Sequence, residues 1–252
     1  MKALALEGKV VLVTGASRGI GAATALELAR HGAHVIAGSR NLGGLEALHA
    51  RAQGTEGEIV TIELDVRREA DVKKAGALAR ERFGRLDALV NNAAVGALGP
   101  VEAQSVEEWR TVLETNVLGT LLCCREAIPL LATGGGTIVN LSSAAANDGF
   151  PYLAAYSASK AAIASLSVAL RRELKERKIR VSTVRIHYVA SEFLSGVPAE
   201  RIGEATEAWR REGLLAAVPL MSPARVAETI RFLIELPAEA SIHDVDIRAA
   251  GA

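Results

Sequence analysis

Short apolar runs alternate with longer amphipathic stretches along nearly the whole chain. Lys9-Val10-Val11-Leu12-Val13-Thr14 is rich in β-branched residues and lacks polar alternation, which predicts a buried strand. Behind it, apolar positions at Ile20, Ala23, Leu26, Leu28 and Ala29 follow a helical pattern. Runs of the first kind predict strands at 9–14, 33–38, 58–64, 86–91, 136–141, 179–186 and 242–248. The stretches between them predict helices at 19–31, 42–53, 68–83, 105–118 continuing to about 132, 154–177 and 223–236. Ser105-Val106-Glu107-Glu108 is a capping box, and Ser222-Pro223 is an N-cap with proline at the first helical position. Such alternation predicts an α/β fold, a doubly wound parallel sheet of about seven strands with helices on both faces. Nothing resembling a linker, repeat or low-complexity segment interrupts it, so residues 1–252 are expected to form a single domain.

One stretch breaks the rhythm. Residues 187–221 are irregular, with Gly196, Pro198, Gly203, Gly213 and Pro219 around a helical piece near 199–212. Ligands in doubly wound sheets lie beyond the carboxyl ends of the strands. An insertion at that end is expected to carry specificity and to close as a lid. Phe193 and Trp209 either line its pocket or pack it down.

Two groups of residues carry chemistry. Thr14-Gly15-Ala16-Ser17-Arg18-Gly19-Ile20-Gly21 follows the first strand at once and opens the first helix. Strand, glycine turn, helix is the frame of a Rossmann-type dinucleotide site, in which backbone N–H groups and the helix N-terminus face the pyrophosphate. The spacing is Gly-x-x-x-Gly-x-Gly rather than the commoner Gly-x-Gly-x-x-Gly. Gly15, Ser17, Arg18, Gly19, Ile20 and Gly21 are the candidate cofactor contacts. The second group is Ser143, Tyr156 and Lys160. Tyr156 and Lys160 are four residues apart in a helix-forming segment, so their side chains leave one face. A free tyrosine titrates near pH ~10, too high for easy proton exchange at neutrality. An ammonium one turn away is expected to lower that value. Ser143 can donate a hydrogen bond to a carbonyl oxygen as charge develops there. A lone Tyr-x-x-x-Lys is more often part of a solvated helix; Ser143 and the glycine loop, in this order, argue against that.

The second strand is followed by Ser39-Arg40-Asn41. NAD-selective sites usually place a carboxylate where Ser39 stands, to hold the ribose 2′-OH. A guanidinium at Arg40 would instead pair with a 2′-phosphate, and Arg18 can approach from the other side. No acid occurs from Gly38 to Leu45. The expected cofactor is therefore NADP(H).

Taken together, these motifs resemble the short-chain dehydrogenase/reductase family in its compact form, from about Gly8 to Ala252. Asp65-Val66 resembles the family's adenine-contacting pair after the third strand. Asn91-Asn92-Ala93-Ala94 resembles its Asn-Asn-Ala-Gly motif, with Ala94 in place of the glycine, and adds Asn92, Ala93 and Ala94 to the cofactor contacts. Asn116 falls where the family has a helix asparagine that holds a water in a proton relay. The resemblance implies a catalytic set of Asn116, Ser143, Tyr156 and Lys160. It also implies Val189 and Ser191 as holders of the carboxamide, and Tyr156 and Lys160 as cofactor contacts. A departure follows the sixth strand: Ile186-His187 stands where relatives carry Pro-Gly. His187 either reshapes the pocket or turns away, the second being favoured; Tyr188 follows it. The C-terminal part loosely resembles NADP-dependent 3-hydroxy acid dehydrogenases. The implied activity is reversible reduction of a ketone to a secondary alcohol. The alternatives are epimerisation, enoyl reduction, or a silent NADP-binding regulatory protein. Relatives usually pair through helices equivalent to 105–132 and 154–177, so a homotetramer or homodimer is expected.

Composition changes little in this picture. Lys plus Arg and Asp plus Glu are 29 each, so nothing points to nucleic acid or a membrane surface. No apolar run approaches the ~20 residues that cross a bilayer. Met1–Glu7 is too quickly interrupted to read as a signal peptide. The only cysteines, Cys123 and Cys124, are adjacent in an apolar helix and are expected to be buried and inert, in keeping with a cytoplasmic setting. The five histidines lack metal-ligand spacing, so no metal is expected. Aromatics are only 4% of the chain, leaving a core of Ala, Val, Leu and Ile.

Overall fold

A computed structural model describes residues 6–131, 135–190, 193–215 and 220–250. Seven parallel strands form one sheet: β1 (Val10–Thr14), β2 (His34–Ser39), β3 (Ile59–Glu63), β4 (Ala88–Asn91), β5 (Thr137–Ser143), β6 (Arg180–Ile186) and β7 (Asp244–Ile247). Their spatial order is β3-β2-β1-β4-β5-β6-β7. The order reverses between β1 and β4, and a crevice opens at such a switch point beyond the strand ends. The helices are α1 (Gly19–Arg30), α2 (Leu42–Arg51), α3 (Glu69–Phe83), α4 (Val106–Leu113), α5 (Gly119–Ala127), α6 (Ala145–Asp148), α7 (Ala154–Glu173), α8 (Ala199–Arg211) and α9 (Pro223–Glu235).

The side chains of β1 show why two layers of helix are needed. Val11 and Val13 enter one apolar core, with Leu26 of α1 and Val226, Ile230 and Leu233 of α9. Val10 and Leu12 enter the other, with Val72 and Ala75 of α3, Leu122 of α5 and Leu170 of α7. Successive residues of a strand point to opposite faces, so a strand apolar throughout must be covered on both sides. β7 is the edge strand and alternates exposed with half-buried residues. Its two aspartates suit an edge that resists pairing with another chain.

Both expected caps form. Ser105 Oγ accepts from Glu108 N while the Glu108 carboxylate accepts from Ser105 N, and Ser222 Oγ accepts from Ala224 N ahead of Pro223. The long helix predicted from 105 to about 132 differs from expectation. It is interrupted by one π-helical turn, Glu114–Leu118, between α4 and α5. Such turns place one extra residue in a helix and recur at functional sites. Cys123 and Cys124 are buried and unbridged in α5, and burial pushes both thiols up, Cys124 to about 12.

The 187–221 insertion contains α8 and is closed at its base. Ala190 N donates to Met221 O at 2.9 Å and Met221 N to Tyr188 O at 3.0 Å. Among the described residues, no helix is long and apolar enough to cross a membrane.

Candidate active site

The glycine loop leaves β1 in a conformation that only glycine adopts comfortably. Gly15 and Gly19 have φ of +65° and +54°. A Cβ on Gly21 would lie 2.3 Å from Gly15 O and 2.5 Å from Asn92 Nδ2. The loop is stitched to the segment after β4: Asn92 Nδ2 donates to Thr14 O and Gly15 O at 2.8 and 3.0 Å. The backbone N–H groups of Asn92 and Ala93 both donate to Thr14 Oγ1 at 3.1 Å. The half-buried Ala94 continues this wall. The cradle expected from Gly15, Ser17, Arg18, Gly19, Ile20 and Gly21 therefore sits against Asn92–Ala94, at the switch point between β1 and β4. A backbone this close, with no side chains in the way, fits a dinucleotide pyrophosphate.

Beyond β2, Ser39 is buried and its hydroxyl donates to Ser17 Oγ at 2.9 Å. Arg40 is exposed. Arg18 reaches into the insertion, where Nη1 donates to Ser195 Oγ at 2.7 Å. Asp65 ends the third strand's loop as expected, but with a partner that motif reading missed. Arg67 Nε donates to Asp65 Oδ1 at 3.0 Å and Nη2 to Oδ2 at 2.5 Å. That guanidinium holds the Asp65 carboxyl below its usual range against the effect of burial, and the charge of Arg40 adds in the same direction. Val66 is buried against α5, where a Cβ on Gly119 would meet its Cγ2 at 2.6 Å.

Ser143, Tyr156 and Lys160 come together beyond β5. The Ser143 hydroxyl lies beside the Tyr156 phenol. Burial pushes that phenol up to about 12, the neighbouring Ser143 hydroxyl acting the other way. Lys160 is buried; Nζ donates to Leu141 O at 2.9 Å and lies 5.6 Å from the Tyr156 ring centroid. Burial alone lowers Lys160 to about 8. The expectation that the ammonium depresses Tyr156 is corrected here. Burial disfavours the charged form of each group, raising the phenol and lowering the ammonium.

The buried lysine has a consequence for stability. Its folded value of about 8 lies below its ordinary 10.5, so between those pH values the unfolded chain binds more protons than the native one. Stability contributed at this position is lowest below pH 8 and recovers as pH rises towards 10.5. Replacement by methionine, Lys160→Met, should raise the melting temperature most near pH 7 and progressively less towards pH 10. A gap between variant and parent that is constant across that range would contradict the assignment.

Asn116 lies in the π turn, and it is 1% exposed. Its Oδ1 accepts from Val95 N, and its Nδ2 donates to Val95 O and to Ser159 Oγ, all at 2.9 Å. The Asn116 amide thus ties the β4 loop to α7, one residue from Lys160. Thr120 Oγ1 donates to the Asn116 carbonyl at 2.8 Å.

The four expected pocket residues separate. His187 turns to β7: its Nε2 is 2.9 Å from Asp246 Oδ1 and its backbone N–H donates to Ile247 O at 3.1 Å. Of the two readings of His187, the favoured one, in which it turns away from the pocket, is the one the structure takes. The backbone bond would be open to the glycine of relatives as well, so what the departure adds is the imidazole beside Asp246. Trp209 packs the insertion down, its Nε1 donating to Pro151 O at 2.7 Å and its ring edge-on to Phe150 at 5.5 Å. Tyr188 also packs on Phe150, at 6.3 Å. Of the four, Phe193 alone packs on Tyr156, its ring tilted by 50° with centroids 4.7 Å apart. Motif reading missed Gly96, whose absent side chain admits that ring: a Cβ there would meet Phe193 Cζ at 2.5 Å. Val189 lies at the base of the insertion, where the two closing bonds use Tyr188 and Ala190 rather than its own N–H and C=O. Ser191 lies outside the described residues. No cluster of three or more metal-binding side chains occurs among the described residues. A depression of about 540 Å³ between α9 and the end of β7 involves none of these site residues.

Comparison with known proteins shows the family. The short chain dehydrogenase family model matches residues 9–201. The chain is 37% identical over 234 residues to an uncharacterized oxidoreductase of Methylorubrum extorquens, covering 90% of this chain and 91% of that one. It is 40% identical over 189 residues to a D-threitol dehydrogenase of Mycolicibacterium smegmatis, covering 75% and 73%. Among solved structures, an alcohol dehydrogenase from the archaeon Thermococcus sibiricus, complexed with 5-hydroxy-NADP, superposes with a TM-score of 0.82 at 28% identity, over 97% of each chain. The chain belongs to the short-chain dehydrogenase family and is an oxidoreductase of that family.

Proposed function

We propose that this protein is an NADP(H)-dependent reductase that converts a ketone to a secondary alcohol, and reversibly oxidises the alcohol. The observation that carries the reading is the meeting of Ser143, Tyr156 and Lys160 beside a glycine cradle that a single Cβ would fill. The bound nicotinamide dinucleotide supplies the hydride. Tyr156, kept protonated by burial through neutral pH, donates its proton to the carbonyl oxygen. Ser143 orients and polarises that oxygen. Lys160, one turn from Tyr156, holds the nicotinamide ribose. Asn116 holds the β4 loop and α7 in register and, through the carbonyl of the π turn, supports a water in the proton relay. Backbone groups near Val189, with Ser191, hold the carboxamide.

Arg40 and Arg18 support the 2′-phosphate form of the cofactor, and the superposable alcohol dehydrogenase carries an NADP derivative. Asp65, fixed by Arg67, supports a contact to adenine at the other end. The 187–221 insertion acts as a lid, and the Arg18–Ser195 bond links it to the cofactor loop. Exposed Leu113, Leu118, Leu121 and Val168 support association of copies through α4, α5 and α7, as a tetramer or dimer. A monomer in sedimentation at micromolar concentration would end that part of the proposal.

The test is loss of NADPH absorbance with a panel of ketones, with NADH run in parallel. NADPH should be preferred by ~100-fold or more in kcat/KM, the size expected for charge-assisted pairing to a phosphate. The Arg40→Asp variant should lose most of that preference. Equal use of both cofactors by the parent protein would refute the NADP assignment, and absence of turnover with both would refute the reductase assignment.

A further inference from the structure

The chain holds four phenylalanines, three tyrosines and two tryptophans. Six of these nine gather at one place. Phe150, Tyr152, Tyr156, Tyr188 and Trp209 share one apolar cluster, and Phe193 packs at a tilt on Tyr156. A sequence whose main cores are aliphatic has placed most of its aromatic residues in the cluster that contains Tyr156. Burial of Trp209 and Phe150 is explained by packing, since each is in contact with the other and Trp209 is hydrogen-bonded. Phe193 is different. It lies on the insertion and fits against Tyr156 only because residue 96 is glycine.

A cavity of about 360 Å³ adjoins Gly96. Val95, Leu98, Val112 and Val197 line it, with Arg201 and Glu108. Arg201 is the one cation among the described lining residues, and its Nη1 lies 3.7 Å from Glu108 Oε1. Lys160 is turned to Leu141 O. On the other side, burial and then the charge of Asp148 push the Tyr188 phenol up, so negative potential reaches the aromatic cluster. A carboxylate entering here would lose its hydration without gaining an unengaged cation, which is costly. A flat apolar group would find ring faces and aliphatic walls.

We propose, on the basis of the reductase reading above, that the substrate is an uncharged ketone bearing an aromatic or similarly flat apolar substituent. Phe193 and Gly96 hold that substituent beside Tyr156, and its far end extends into the adjoining cavity. Phe193 is thus a specificity-determining residue, and Gly96 provides the space in which its ring sits. The inference excludes small polyols and free keto acids as preferred substrates.

Methyl 4-acetylbenzoate and 4-acetylbenzoate differ only at the end remote from the ketone, where one carries a neutral methyl ester and the other a carboxylate. Calorimetry of each on the NADPH-loaded Tyr156→Phe protein measures binding without turnover, and butan-2-one serves as the small apolar control. The ester should bind ~30-fold or more tightly than the acid, in line with an uncompensated carboxylate. Phe193→Ala should weaken the ester by ~10-fold, about the worth of one aromatic contact, and butan-2-one, which has no ring to lose that contact, by distinctly less. With the parent protein, the same substitution should raise KM for the ester more than it lowers kcat. Gly96→Val, which displaces the Phe193 ring without removing it, should also weaken the ester. Binding of the acid as tight as that of the ester, or indifference of the ester to both substitutions, would overturn the inference. Tight binding of the ester with no turnover of any ketone by the parent protein would overturn the reductase reading and leave the pocket assignment standing.

Discussion

Tyr156→Phe is expected to lose turnover by about 10³-fold while binding NADPH nearly as well as the parent protein. The substitution removes one oxygen and keeps the ring. The ring is what contacts Phe193, at 4.7 Å, and lies 5.6 Å from Lys160 Nζ, so packing around the site survives. What is lost is the phenol beside Ser143. A positioned general acid is worth ~10²–10⁴ in rate, and water cannot replace it readily beneath a phenylalanine. Ser143→Ala should show a smaller loss, about 10²-fold, since it removes polarisation but leaves the proton donor. Steady-state kcat on the best ketone, with the NADPH dissociation constant measured by fluorescence, checks both. A Tyr156→Phe protein with unchanged kcat would remove Tyr156 from the chemistry.

The second large effect is on stability as well as activity. Asn116→Ala should lower the melting temperature by roughly 5–10 °C, equivalent to about 3 kcal/mol for a chain of this size. Three hydrogen bonds disappear at once, and Val95 N–H, Val95 C=O and Ser159 Oγ each lose a partner at a buried junction. kcat should fall as well, because Ser159 precedes Lys160 on α7 and the π turn has lost the side chain that anchors it. Differential scanning calorimetry alongside steady-state kinetics separates the two losses. A melting temperature within about 1 °C of the parent would show that the Asn116 amide does not hold this junction.

Strand positions were legible because a strand buried on both faces has to be apolar throughout. β1, β2, β4, β5 and β6 each fall within a residue or two of expectation. The capping box at Ser105 and the Ser222-Pro223 start were legible for a related reason: a cap is local, and its hydrogen bonds span three residues. The π turn at Glu114–Leu118 was not. It is stabilised by Asn116 reaching Val95 and Ser159, 21 and 43 residues away, contacts that no local pattern announces.

The candidate site divides along the same line. The order and spacing of the glycine loop, Ser143, Tyr156 and Lys160 determined the family and the architecture, because backbone conformation at glycine and one turn of helix depend only on near neighbours. Tertiary structure decided the rest. His187 is drawn to Asp246 by an edge strand that begins 57 residues later. Trp209 is taken up by Pro151 and Phe150. Phe193 reaches Tyr156 only through the gap at Gly96. The proton affinities of Tyr156 and Lys160 likewise depend on burial, which is set by everything packed around them, so their spacing of four residues could place the pair but not determine which way either would titrate.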